Sequence, residues 1–180
     1  MFKCFRIIEV ILLIILTNNL YNQQIAKEVD IKLKSKAFAE GEMIPKKYSC
    51  DGKNISPELS WSGIPAGAKS IAIVCDDPDA PSGEFVHWVI YNIPASATKL
   101  EKAIPTKKNL PNGALQGTSD ARKIGYTGPC PPGELHRYFF TIYALDVMLN
   151  LDAGAAKDRL FAAMRGHILG EGKLMGKYKR

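Results

Sequence analysis

GYTGPCPPGELHRYFFTIYALD, residues 125–146, opens as a rigid loop and closes as the most β-rich stretch of the chain. Pro129, Pro131 and Pro132 have φ fixed at roughly −65° and no backbone N–H, while Gly125, Gly128 and Gly133 admit dihedrals closed to other residues. Such a loop keeps its shape without a helix or sheet. Tyr138, Phe139, Phe140, Ile142 and Tyr143 then crowd one short run. Aromatic and β-branched side chains suit a pleated surface, so a central strand is expected over Arg137 to Asp146. By composition the loop reads equally well as a plain proline-rich turn between strands.

The rest of the chain also reads as strands. Val29 to Phe38, VDIKLKSKAF, alternates apolar and polar residues and predicts one half-solvated strand. Gly41 to Trp61 predicts a long ordered loop ending in a short strand at Leu59 to Trp61. Ser70 to Cys75 and His87 to Ile93 are short apolar runs bounded by turn signals, as in strands buried on both faces. The polar segment from Ala95 to Arg122 shows little beyond the turn at Pro111-Asn112-Gly113. One helix is predicted over Ala153 to Gly166, with Asp152 as N-cap and Ala156, Leu160, Ala163 and Met164 at helical spacing. Ile168 to Tyr178 predicts a last strand broken by Gly170, Gly172 and Gly176. Strands dominate and no βαβ alternation is visible, so the expected fold is mainly β: antiparallel sheets packed face to face, with one C-terminal helix.

The 180 residues are 46% hydrophobic and 23% charged, which suits one globular domain. The 24 Lys and Arg against 18 Asp and Glu give +6, but the cations are scattered rather than striped with aromatics, which argues against nucleic-acid binding. Residues 1–26 read as a signal peptide: Lys3 and Arg6 precede an apolar run of about ten residues that contains Glu9 and is too short to span a bilayer. The expected location is therefore periplasmic or secreted. An uncleaved N-terminal anchor is the alternative, since Gln24-Ile25-Ala26 is a poor cleavage site. Residues 27–180 form the single expected domain. Without the leader three cysteines remain. Cys75 lies in an apolar run and reads as core, whereas Cys50 and Cys130 lie in polar loops, so a Cys50–Cys130 disulfide is expected in an oxidising compartment.

Asp76-Asp77-Pro78-Asp79-Ala80-Pro81 crowds three carboxylates at the end of one predicted strand. Like charges this close repel unless they point apart or are held by an arginine, a metal, a hydroxyl or backbone amides. His87-Trp88 opens the next strand, and His136-Arg137-Tyr138 opens a third. If these strands are neighbours, Asp77, His87, His136 and Tyr138 meet at one shared end. Each neutral histidine can donate one N–H to an anion, and a second when protonated. Period two places Arg137 on the face opposite His136 and Tyr138, and Trp88 opposite His87.

DPDAP, HWVIYNIP and GYTGPCPPGELHRYFFTIYALD, with YSCDGKNISPELSW at 48–61, together resemble the phosphatidylethanolamine-binding protein family, specifically its bacterial and archaeal Raf-kinase-inhibitor-like (YbhB/YbcL) branch. The resemblance covers about Ile31 to Arg180. It implies a β-sandwich around a large sheet, and a small pocket for phosphate or carboxylate groups such as phospholipid head groups. By motif position the anion-binding residues would be Asp77, Pro81, His87, His136 and Tyr138, with Cys130 on the rim. No catalysis and no cofactor are expected. The expected partners are a small anion or lipid head group, a protein target for an inhibitor or regulator, and a second copy in a homodimer. A metal-dependent hydrolase using Asp77, Asp79, His87 and His136 is the alternative reading.

Overall fold

The computed structural model describes residues 29–180. Residues 1–28, and with them the expected leader, lie outside the described residues. The elements in chain order are β1 (Val29–Asp30), β2 (Lys32–Lys34), a 3-10 turn (Lys46–Tyr48), β3 (Leu59–Ser62), β4 (Ser70–Asp77), β5 (Phe85–Pro94), β6 (Lys99–Leu100), β7 (Leu115–Gln116), β8 (His136–Leu145), α1 (Lys157–Met164) and β9 (Ile168–Tyr178). Among the described residues, no helix is long and apolar enough to cross a membrane.

Two sheets result: six strands in the order β1-β9-β8-β4-β5-β7, and three in the order β2-β3-β6. Pairing is antiparallel throughout except between β1 and β9. β8 and β4 occupy the middle of the large sheet, and both faces of that sheet are covered. On one face Ile71, Ile73 and Cys75 of β4 pack with Phe140 and Ile142 of β8 and with Leu33, Leu59 and Trp61 of the small sheet. On the other, Ala72 and Val74 pack with Tyr91, Tyr143 and α1 residues Leu160 and Met164. Burial on both sides explains why β4 is apolar at consecutive positions instead of alternating.

Three elements differ from the sequence expectation. The single strand over Val29 to Phe38 is two short strands in different sheets: the Ile31 N–H bonds to the Glu171 carbonyl of β9 at 2.7 Å, and from Lys32 onward the chain pairs with β3. The helix starts at Lys157, four residues later than expected, and Asp152 does not cap it. Gly154, at φ +97°, interrupts the approach, and the Asp152 carbonyl instead accepts from the Tyr91 hydroxyl at 2.5 Å. β9 runs unbroken for 11 residues. Its glycines are there for close approach, since a Cβ on Gly172 would run into the Ile31 carbonyl oxygen where the N-terminal segment crosses.

Candidate functional site

β4 continues two residues beyond Cys75, so Asp76 and Asp77 stand on the strand rather than in the following turn. Alternation then separates the carboxylates, and each finds its own donor. Asp76 faces α1, where Lys157 Nζ lies 2.9 Å from it. Asp77 faces the interior, where its Oδ2 accepts from His136 Nδ1 at 2.7 Å and its Oδ1 accepts from the Asp79 N–H at 2.9 Å. Asp79 turns outward to Arg137, whose Nε and Nη2 donate to it at 2.9 and 2.7 Å. The crowding that looked repulsive in sequence is resolved by three separate partners.

β4 pairs with β8 in unbroken register, which puts His136 and Tyr138 on the same face as Asp77. His87 reaches that face by a different route. Cys75 pairs with Trp88 and Asp76 with Val86, so His87 is the extra residue of a β-bulge on β5. The bulge cancels the expected alternation. Trp88 is core, but it shares a face with His87: Trp88 packs edge-on to Tyr126, and the His87 ring stands 5.1 Å from that of Tyr138.

The loop from Gly125 closes the site from above. The Thr127 N–H donates to the His87 carbonyl at 2.9 Å, and the Thr127 carbonyl accepts from His87 Nδ1 at 2.7 Å. The Gly128 N–H is held by Asn54 Oδ1 at 2.7 Å. Cys130 is joined to Cys50 in a disulfide, which ties the rim to the 3-10 turn region 80 residues away in sequence. The enclosed space is a cavity of about 270 Å³ at the strand ends, lined among others by Asp77, Pro81, Phe85, His87, Thr127, Cys130, Pro132 and His136. A larger surface groove of about 520 Å³ runs along Asp30 to Ser35 and β9, but it contains no histidine.

Residues 34–179 match the family model described as phosphatidylethanolamine-binding protein. The chain belongs to the phosphatidylethanolamine-binding protein family. A UPF0098 protein of Methanothermobacter thermautotrophicus is 54% identical over 150 residues, covering 83% of this chain and 99% of that protein. A solved structure of a phosphatidylethanolamine-binding protein homologue from Chlamydia trachomatis superposes with a TM-score of 0.77 at 42% identity, over 84% of this chain and 98% of that one. Escherichia coli YbcL, described as a member of the mammalian family, gives a TM-score of 0.77 at 30% identity over 84% and 99%.

Within this family member, five of the six residues picked from sequence line the cavity: Asp77, Pro81, His87, Cys130 and His136. Tyr138 does not. It lies beneath the floor, fully buried, and among the described residues its hydroxyl has no hydrogen-bond partner. Burial and, after it, the Asp77 carboxylate push its phenol well above the ordinary range. Arg137 faces away, as alternation predicted, and holds the Asp79 carboxyl down at about 2. That pairing removes Asp79 from the four-residue metal set of the hydrolase reading. Among the described residues no three His, Cys, Asp or Glu side chains gather as a metal site.

Sequence reading missed Phe85, whose ring centroid is 4.8 Å from that of His87, and also Thr127, Asn54 and Gln116. Gln116 is completely buried; its Oε1 accepts from Trp88 Nε1 at 2.9 Å and its Nε2 donates to the Pro105 and Lys107 carbonyls at 2.6 and 2.8 Å. It ties β7 to Trp88 of β5, the neighbour of His87 in sequence. Nothing in the polar text around Gln116 singled it out. Burial holds the His87 ring below the usual histidine range, opposed by the Thr127 carbonyl and by the carboxylates of Asp77 and Asp120.

Proposed function

We propose that this family member is an exported binding protein for small oxyanions, phosphate or carboxylate groups such as those of phospholipid head groups, and that it acts by binding rather than by covalent chemistry. The observation that carries this reading is the pair of buried histidines at the cavity wall. Each is fixed through Nδ1 by a protein acceptor, so each has Nε2 left for a ligand. Two hydroxyl residues, Ser82 and Thr127, are on the cavity lining; the Thr127 hydroxyl pairs with Ser119 Oγ at 3.1 Å, and among the described residues neither hydroxyl bonds to a histidine ring, so no hydroxyl-histidine nucleophile is assembled. Export is supported by the leader-like residues 1–26 and by the Cys50–Cys130 bridge, a kind of bond that persists in oxidising compartments. Inhibition of a protein target would use the exposed rim around the same mouth.

The test is a titration of the isotope-labelled protein with inorganic phosphate and phosphoethanolamine, followed through the histidine ring resonances. His87 and His136 are expected to shift together. His167, paired with Asp146 beyond the other end of β8, serves as internal control. Unmoved His87 and His136 at millimolar ligand would refute the proposal.

A further inference from the structure

The ring Nδ1–H donors of His87 and His136 and the N–H donors of Thr127 and Gly128 are already spent. A carbonyl and a carboxylate can only accept, so His87 gives its Nδ1 proton to the Thr127 carbonyl and His136 gives its own to Asp77. In the neutral state each Nε2 is therefore a bare lone pair. The wall amides of Thr127 and Gly128 are committed to the His87 carbonyl and to Asn54, and Pro81, Pro131 and Pro132 have none to offer. Among the described residues no Lys or Arg lines the cavity, and Asp77 is its one carboxyl group. The cations nearby are engaged outside it, Arg137 with Asp79 and Lys157 with Asp76 and Glu84. With both rings neutral, a fully deprotonated anion would meet two lone pairs and the Asp77 carboxylate, with the Ser82 hydroxyl and the Cys130 N–H among the remaining donors on the lining.

Resting on the anion-site reading of the same cavity, we infer that the cavity selects phosphate monoesters in their monoanionic form, with the ligand's own P–OH donating to a histidine Nε2. A monoester has one proton that leaves near pH ~6, so the monoanion is abundant just below neutrality. A diester has no such proton. The groups facing the two rings fit this assignment. His87 is surrounded by Asp77 of β4, Asp120 of the loop after β7, the Thr127 and Gly128 backbone, the Phe85 ring and the edge of Tyr138. His136 faces Asp77 and Asp79, and pairs in register with Tyr178 of β9. None of these is a cation. Burial outweighs the carboxylates at His87 and favours its neutral ring, which preserves the acceptor that a protonated ligand requires.

Calorimetric titration of the full chain with methyl phosphate and with dimethyl phosphate tests the inference. At about pH 6, methyl phosphate is expected to bind at least about tenfold more tightly than dimethyl phosphate. Its Kd should rise about tenfold per unit between about pH 7 and pH 9, with about one proton taken up from the buffer, because the binding species thins out tenfold per unit. A flat Kd across that range, or dimethyl phosphate binding as tightly as methyl phosphate, would overturn the inference while leaving anion binding intact. Failure of both to bind would instead sink the anion site itself. Short-chain phosphatidic acid, a monoester on a lipid, extends the series. Binding tighter than methyl phosphate marks a lipid as the source of the monoester, equal binding marks a free one, and absence of binding when methyl phosphate binds limits the site to soluble esters.

Discussion

Replacing Gln116 by leucine isolates the tie between β7 and Trp88. The side chain is completely enclosed and makes three hydrogen bonds, one to the Trp88 indole and two to backbone carbonyls. Leucine has a similar volume, so the cost lies in orphaned polar groups rather than in a large cavity. The Trp88 Nε1–H, on a residue with no exposed surface, loses its acceptor, which costs about 1–3 kcal/mol. Pro105 and Lys107 lie at the surface, so their carbonyls regain water and contribute toward the low end. A net loss of about 3 kcal/mol is expected, equivalent to a Tm lower by about 6–12 °C for a domain of this size. Urea denaturation monitored by fluorescence measures it. Trp88→Phe removes the orphaned donor, so Gln116→Leu should cost about 1–2 kcal/mol less in that background than in the parent. The reasoning is refuted if Gln116→Leu stays within about 0.5 kcal/mol of the parent, or if the two substitutions are strictly additive.

The geometry sets two further outcomes. The His87 ring, whose neutral form burial favours, should titrate below the ordinary value of about 6.5 in NMR of the unliganded protein. Because the unfolded chain then binds more protons, His87 stabilises the fold above about pH 6.5 and this contribution is lost as pH falls through its folded value; a midpoint above about 6.5 contradicts the assignment. Gly172→Ala should cost about 3 kcal/mol or more in urea, since its methyl group must displace the crossing backbone at Ile31, and a loss below about 1 kcal/mol would show that the crossing is soft.

The fold was legible where burial writes itself into residue type. The apolar runs that became β4, β5 and β8 are covered on both faces, and their boundaries were read to within two residues. Asp77, His87 and His136 were legible as a group because each sits where such a run meets a turn. What escaped depends on contacts remote in sequence. Period two correctly turned Arg137 outward on regular β8, yet failed one strand away, where the bulge at His87 depends on pairing with Cys75 and Asp76 rather than on any residue of β5 alone. The β9 glycines looked like breaks because a glycine that admits a crossing chain and one that ends a strand are the same letter. Asp152 looked like an N-cap for want of any sign that its carbonyl was wanted by Tyr91. Tyr138, just beyond the rim, is on the right face but one layer too deep.

The central claim is that an oxyanion rests against the free nitrogens of His87 and His136, and diffraction from crystals soaked in inorganic phosphate near pH ~6 tests it most directly. The account predicts density for one tetrahedral anion within hydrogen-bond distance of Nε2 on at least one of these rings, with both Nδ1 contacts, to Thr127 and Asp77, retained. An empty cavity at saturating phosphate, or an anion bound only at surface lysines with the histidine cavity unchanged, would contradict it.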